Sequence, residues 1–154
     1  MKVKEVLTVK GNTLFTVNPE DPLSDGVVVM AEQDIGSLVV MDHGRLAGML
    51  TFREVIRILA KRQTEDRSGP TPPVSEFKVK EVMHTDPFVV NPEMDVDELR
   101  AAMIENRQRY LPVMDDNTLM GVISFHDVAR AVLSEQDFEN KMLKAYIRDW
   151  PAEG

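Results

Sequence analysis

Apolar positions along the chain form short runs and helical spacings, and this alternation occurs twice. Leu14-Phe15-Thr16-Val17 and Phe88-Val89-Val90, each closed by Asn-Pro, predict short strands. Helical spacing follows: Leu23, Val27 and Met30 share a face of Pro22–Gln33, and Val96, Leu99 and Met103 share one of Asp95–Asn106. Pro22 and Asp95 suit the first turn of a helix. Ser37–Met41 and Tyr110–Met114 are apolar without clean alternation, as in strands covered on both faces. The turns Asp42-His43-Gly44 and Asp115-Asp116-Asn117 lead to return strands, Leu46–Leu50 and Leu119–Ile123. A second helix carries Phe52, Val55, Ile56 and Leu59, or Phe125, Val128, Ala129 and Val132.

The two passes are copies of each other. Val3-Lys4-Glu5-Val6 returns 76 positions later as Val79-Lys80-Glu81-Val82, and Val17-Asn18-Pro19-Glu20 returns 73 positions later as Val90-Asn91-Pro92-Glu93. From Thr16 to Ala60 the offset of 73 holds without a gap, and 15 of the 45 pairs are identical. Identity of one third over an ungapped stretch with the same apolar pattern is a tandem duplication. The fold class expected is α+β, as two strand-helix-strand-strand-helix repeats: residues 1–62 form the first, 63–78 a linker, 79–133 the second, and 134–154 a C-terminal helix and tail. The linker centre, Ser68-Gly69-Pro70-Thr71-Pro72-Pro73, cannot sustain a helix and reads as exposed. In the last segment Phe138, Met142, Tyr146 and Trp150 step by four along one helix face. That face either folds back on the core or contacts a partner, since Tyr and Trp are enriched at interfaces.

Each repeat closes on the same short motif, Gly48-Met49-Leu50-Thr51-Phe52-Arg53-Glu54 and Gly121-Val122-Ile123-Ser124-Phe125-His126-Asp127. It lies between a strand and a helix, where free backbone N–H groups and the positive end of the helix dipole attract an anion. The hydroxyl of Thr51 or Ser124 has a donor for phosphate, and the acid three residues on has acceptors for the vicinal hydroxyls of a ribose. The same spacing is a capping box, in which hydroxyl and acid satisfy the helix's own orphan N–H groups and bind nothing. Both readings stand on the residues alone.

Charge and composition narrow the classes. With 154 residues the chain has enough length for a sizeable core, burying about 68–70% of its unfolded surface. A net charge of −8 argues against non-specific nucleic-acid binding. The absence of cysteine excludes thiolate catalysis, disulfides and Cys-based zinc sites, and fits the reducing cytoplasm. The N-terminus carries charges from its second residue and lacks a signal h-region, and no apolar run reaches the roughly 20 residues of a membrane span. His43, His84 and His126 fall in a turn, a loop and a helix start; Glu81 and His84 have ligand spacing but stand alone, so no metal site is expected. No P-loop, Gly-x-Gly-x-x-Gly or Gly-x-Ser-x-Gly motif is present, and no nucleophile-base constellation points to an enzyme.

The duplicated unit, the closing motif and the strand Leu111-Pro112-Val113-Met114-Asp115 together resemble the CBS domain family, over essentially the whole chain and in its stand-alone pair form. The resemblance implies two repeats packed sheet to sheet with pseudo-twofold symmetry. It implies two clefts that hold adenosine nucleotides such as AMP, ADP, ATP or NAD(H), with no required cofactor. A homodimer signalling through an unknown effector protein is implied as well, with neither nucleic acid nor membrane as partner. In that likeness Ser124 contacts phosphate, Asp127 holds the ribose hydroxyls and His126 reaches the phosphate. Gln108, Arg109 and Tyr110 line the adenine slot, with Phe88 offering backbone groups near the base. Apart from the resemblance, Arg107 and Arg109 either supply charge for a phosphate or are solvated cations at a helix end. The matching first-repeat positions are Thr51, Arg53, Glu54, Gly36, Ser37 and Phe15. Glu54 stands where the family has Asp, which favours the second-repeat site as the occupied one. The alternative is a structural dimerisation module with vestigial clefts.

Overall fold

The structure, a computed structural model, describes residues 1–10, 14–65 and 73–148, the side chains of Asp137 and Phe138 excepted. A helix, α1 (Val3–Lys10), precedes β1 (Thr16–Val17), α2 (Leu23–Gln33), β2 (Ser37–Asp42), β3 (Arg45–Thr51) and α3 (Phe52–Thr64). A 3-10 turn at Val74–Glu76 leads to α4 (Val79–Val82), β4 (His84–Thr85), α5 (Val96–Asn106), β5 (Tyr110–Asp115), β6 (Thr118–Ser124) and α6 (Phe125–Arg148).

The duplication holds down to irregularities. Asp95 caps α5 by accepting from the Asp97 N–H at 3.1 Å, whereas Pro22 fills the matching place without a side-chain cap. The next helix end is left-handed in both repeats, at Asp34 and at Arg107, each with φ 53°. Both hairpins carry a register shift at the same step, Val40/Met41 and Val113/Met114. A bulge bends the strand locally, so each sheet curls alike.

The two sheets are β1-β2-β3-β4 and β5-β6, with Val90 adding a single parallel bridge to Val113 where β1 pairs with β2 in the other sheet. They meet through Val39, Met49 and Val122, with Met41, Leu46, Tyr110 and Leu119 packed around them. On their outer sides lie two separate cores. One holds Leu23, Met30, Leu38, Val40 and Leu50, the other Leu99, Met103, Leu111, Val113 and Ile123.

The leading helices are exchanged between these cores. Val3 and Val6 of α1 are buried among the second repeat's residues, and Val79 of α4 among the first's. The docking contacts are the same twice over. Val3 and Lys4 N–H donate to the Met94 and Pro92 carbonyls, both at 2.9 Å; Val79 and Lys80 N–H donate to those of Asp21 and Pro19 at 2.9 and 3.0 Å. Lys2 and Lys4 grip Glu93 at 2.9 and 3.0 Å, and Lys78 and Lys80 grip Glu20 at 2.8 and 2.6 Å. Two ammonium hydrogen bonds hold the Glu20 carboxyl down to about 2. Beyond α4, β4 joins the edge of β3 so closely that a Cβ on Gly48 would lie 2.6 Å from the His84 carbonyl oxygen.

The elements depart from the sequence reading in several places. The expected strand Phe88-Val89-Val90 is reduced to the single bridge at Val90, while the unexpected strand β4 forms just before it at His84–Thr85. Residues 3–10 form a helix. Helix α3 continues to Thr64, and the far end of the expected linker is not exposed throughout, because Val74 and Phe77 pack against the first repeat's core; the linker centre lies outside the described residues. Finally, α6 runs unbroken from the second repeat into the C-terminal segment, since neither Gly nor Pro interrupts residues 125–148.

Candidate functional site

Both closing motifs cap their helices. Thr51 Oγ1 accepts from the Arg53 N–H at 3.2 Å, and Glu54 Oε1 accepts from the Thr51 N–H at 3.1 Å. Ser124 Oγ accepts from the Asp127 N–H at 3.0 Å, and Asp127 Oδ2 from the Ser124 N–H at 2.8 Å. The Phe52 and Phe125 N–H groups go to the carbonyls of Gly36 and Arg109, at 3.2 and 2.8 Å. These bonds fix each helix start against the loop that enters the preceding hairpin. Glu54 is buried with both oxygens turned on Thr51. Asp127 has its side chain largely buried and carries one further bond, from Lys10 Nζ at 2.7 Å. Burial would raise its pKa, but the Lys10 hydrogen bond and the backbone and side-chain bonds of Ser124 outweigh it, so the carboxyl titrates below its ordinary 3.8. Asp127 Oδ1 takes no hydrogen bond among the described residues.

Three openings lie along the seam between the repeats, and Tyr110 lines all three. The first, about 500 Å³, sets Thr51, Arg53, Glu54 and Arg57 of α3 and its cap against Gln108, Arg109 and Tyr110, with Met49, Ile56, His84 and Pro87 as walls. A second, about 710 Å³, shares Arg53, Gln108 and Arg109 with it and continues to Arg107, Ser124 and His126. The third, about 330 Å³, sets Ser124 and Asp127 against Phe15, Ile35, Gly36 and Ser37, with Lys10 at its side.

The sites are therefore crossed between the repeats. Sequence reasoning grouped Gln108, Arg109 and Tyr110 with Asp127, and Phe15, Gly36 and Ser37 with Glu54. The structure pairs each acid with the loop of the other repeat, because the pseudo-twofold sets the sheets face to face. His126 opens away from the Asp127 cleft, into the second opening. Phe88 lines none of the three openings; its N–H meets Gln108 Oε1 at 3.3 Å, and its neighbour Pro87 forms the wall. Lys10, Ile35, Arg57 and His84 were missed. Lys10 falls where the repeat offset changes from 76 to 73, so no partner position pointed to it. His84, noticed only for its ligand spacing, faces Gln108 Nε2 at 2.9 Å across Nε2.

Charge is distributed unevenly over these openings. Arg53, Arg57, Arg107, Arg109 and His126 make no ion pair among the described residues, in a chain of net charge −8. No group of three or more His, Asp or Glu is arranged to hold a metal ion among the described residues, and no described helix is long and apolar enough to cross a membrane.

The CBS domain family matches residues 3–61 and 79–134. The chain belongs to this family. Over 134 residues it is 30% identical to the CBS domain-containing protein YhcV of Bacillus subtilis, covering 87% of each. A putative signal-transduction protein with CBS domains from Burkholderia ambifaria superposes with TM-score 0.76 at 33% identity, over 88% of this chain and 96% of that one. The CBS domain pair of protein MJ0100, in complex with 5′-methylthioadenosine and S-adenosyl-L-methionine, superposes with TM-score 0.72 at 19% identity, over 88% of this chain and 98% of its own. CBS-domain pairs are ligand-binding regulatory modules, and this chain has the architecture of one.

Proposed function

We propose that this CBS pair is a non-enzymatic sensor that binds an adenosine nucleotide in the crossed cleft between Glu54 and Gln108–Tyr110. The observation that carries the reading is the run of unpaired cations. An apolar slot between Ile56, Pro87 and Tyr110 suits a flat base, with Gln108 and His84 at its edge as hydrogen-bonding groups. Arg53 and Arg109 border both this slot and the second opening, where Arg107 extends the positive surface and His126 adds an imidazole. A base followed by several negative charges fits that sequence of environments, so ADP, ATP or NAD(H) suits it better than AMP. Guanidinium groups bind phosphate oxygens bidentately and remain charged at any physiological pH. This reverses the preference drawn from Glu54 alone. The Asp127 cleft is smaller, its acid already holds Lys10, and the Tyr110 hydroxyl packs against Gly36 within it.

Signalling then passes to an unidentified effector protein through a homodimer, with the cytoplasm as the expected compartment. A second reading has its own observation: both motif acids are engaged in caps, as in a dimerisation module with vestigial clefts. A thermal-shift panel of AMP, ADP, ATP, NAD(H) and S-adenosylmethionine separates the two. A ligand at 100 times its Kd adds about 2.7 kcal/mol of stability; no shift across the panel favours the structural module.

A further inference from the structure

We infer that the Phe88 N–H, with His84 at the other end, fixes which way the Gln108 amide faces, and that this fixed amide makes the cleft prefer adenine to guanine. The inference rests on the nucleotide reading above and adds what selects the base. Both side chains stand on held backbone. His84 lies on β4, paired with Met49 of β3. Gln108 follows the left-handed Arg107 at the end of α5, and its own N–H donates to the Met103 carbonyl at 3.1 Å. The slot between Ile56, Pro87 and Tyr110 brings a flat base to their edge. At the place of Gln108 the other repeat has Ile35, which borders the Asp127 cleft with no hydrogen-bonding side chain.

A glutamine amide has a carbonyl end and an amino end of nearly the same shape, so a free one turns over and matches either base. Gln108 is not free. A backbone N–H only donates, so the atom that meets the Phe88 N–H at 3.3 Å is the oxygen, Oε1. Nε2 is thereby directed at His84 Nε2, 2.9 Å away, and donates to it, which leaves the imidazole proton on Nδ1. These bonds use one of the oxygen's two lone pairs and one of the two amino hydrogens. The Gln108 side chain makes no other hydrogen bond among the described residues, so it keeps one acceptor and one donor for a base. Adenine offers the complement, an exocyclic amino donor beside a ring-nitrogen acceptor. Guanine has a carbonyl oxygen where adenine has that amino group, and the oxygen would face Oε1. To match guanine the amide must turn over. That sets its amino group against the Phe88 N–H, donor on donor, and obliges His84 to move its proton to Nε2.

Calorimetric titration with ATP and GTP, which differ only in the base, reads the selection. The wild type should bind ATP roughly tenfold to a hundredfold more tightly than GTP. Phe88 lines none of the openings, so it acts as a positioning residue through its N–H. Phe88→Pro removes that N–H and frees the amide to turn; Phe88→Ala removes the ring and keeps the N–H. The proline variant should lose the preference chiefly because GTP binds it more tightly than it binds the wild type, a gain that mere loosening of the site does not produce. The alanine variant should keep the preference. Gln108→Leu, which puts no proline in the chain, should bind the two nucleotides equally. Retained preference in Gln108→Leu overturns the inference, as does a Phe88→Pro that weakens both nucleotides alike or a Phe88→Ala that behaves as the proline variant does. A wild type that binds ATP and GTP equally also overturns it but leaves the nucleotide site standing, and a wild type that binds neither overturns both.

Discussion

Lys10 Nζ lies 2.7 Å from Asp127 Oδ2 and 2.7 Å from the Val122 carbonyl oxygen. One ammonium thus ties the end of the first leading helix to the cap of the last helix. The Lys10 side chain is 32% exposed and that of Asp127 10%, so the pair is partly shielded from water.

Replacing Lys10 by Met should cost about 1 kcal/mol at neutral pH. The folded-state pKa of Asp127 lies below 3.8, so its contribution is complete above that value and lost as pH falls through the lowered pKa. Urea denaturation at pH 7 and pH 3 checks both. The gap between wild type and Lys10→Met should be present at pH 7 and narrower at pH 3; a constant gap would mean that Lys10 acts through packing alone.

The Glu20 clamp makes a second pH prediction. Its carboxyl is held near 2, below the ordinary 4.5, by Lys78 and Lys80, so its stabilisation is present above 4.5 and fades as pH drops toward 2. Glu20→Gln should lower Tm at pH 7 in dilute buffer by more than in 1 M salt, where the screening length is about 3 Å. Glu93→Gln should do the same, and because the two clamps share no partner their effects should add.

Much of this arrangement is legible in the sequence because it is local. The capping boxes Thr51/Glu54 and Ser124/Asp127 follow from spacing, and the strands from apolar runs between turn residues. What stayed hidden is non-local. Nothing near Lys2 and Lys4 reports that they reach Glu93, or that α1 leaves its own repeat. The crossing of the clefts follows from that exchange and from sheet-to-sheet packing, so residues adjacent in sequence, such as His126 and Asp127, serve different openings. At the C-terminus, Met142 and Tyr146 are exposed as a partner-contacting face would be, while the Phe138 side chain and Trp150 lie outside the described residues.

Tyr110 occupies the place that Ser37 holds in the other repeat, and a Cβ on Gly36 would run into its hydroxyl. Gly36→Ala should therefore destabilise by about 1–3 kcal/mol through overpacking. In a Tyr110→Ser background the same change should cost much less. Denaturant midpoints of the four proteins measure this, and an undiminished cost in the Tyr110→Ser background would contradict the contact.

The central claim is that the cleft beside Arg53 and Arg109 takes an adenosine nucleotide. Calorimetric titration of the wild type, Arg53→Ala with Arg109→Ala, and Asp127→Asn with ATP and with adenosine tests it most directly. ATP should bind the wild type at least tenfold more tightly than adenosine, a difference of about 1.4 kcal/mol. The paired arginine variant should lose that preference, and Asp127→Asn should retain it. Equal affinity for ATP and adenosine, or loss of ATP binding in Asp127→Asn alone, would contradict the assignment.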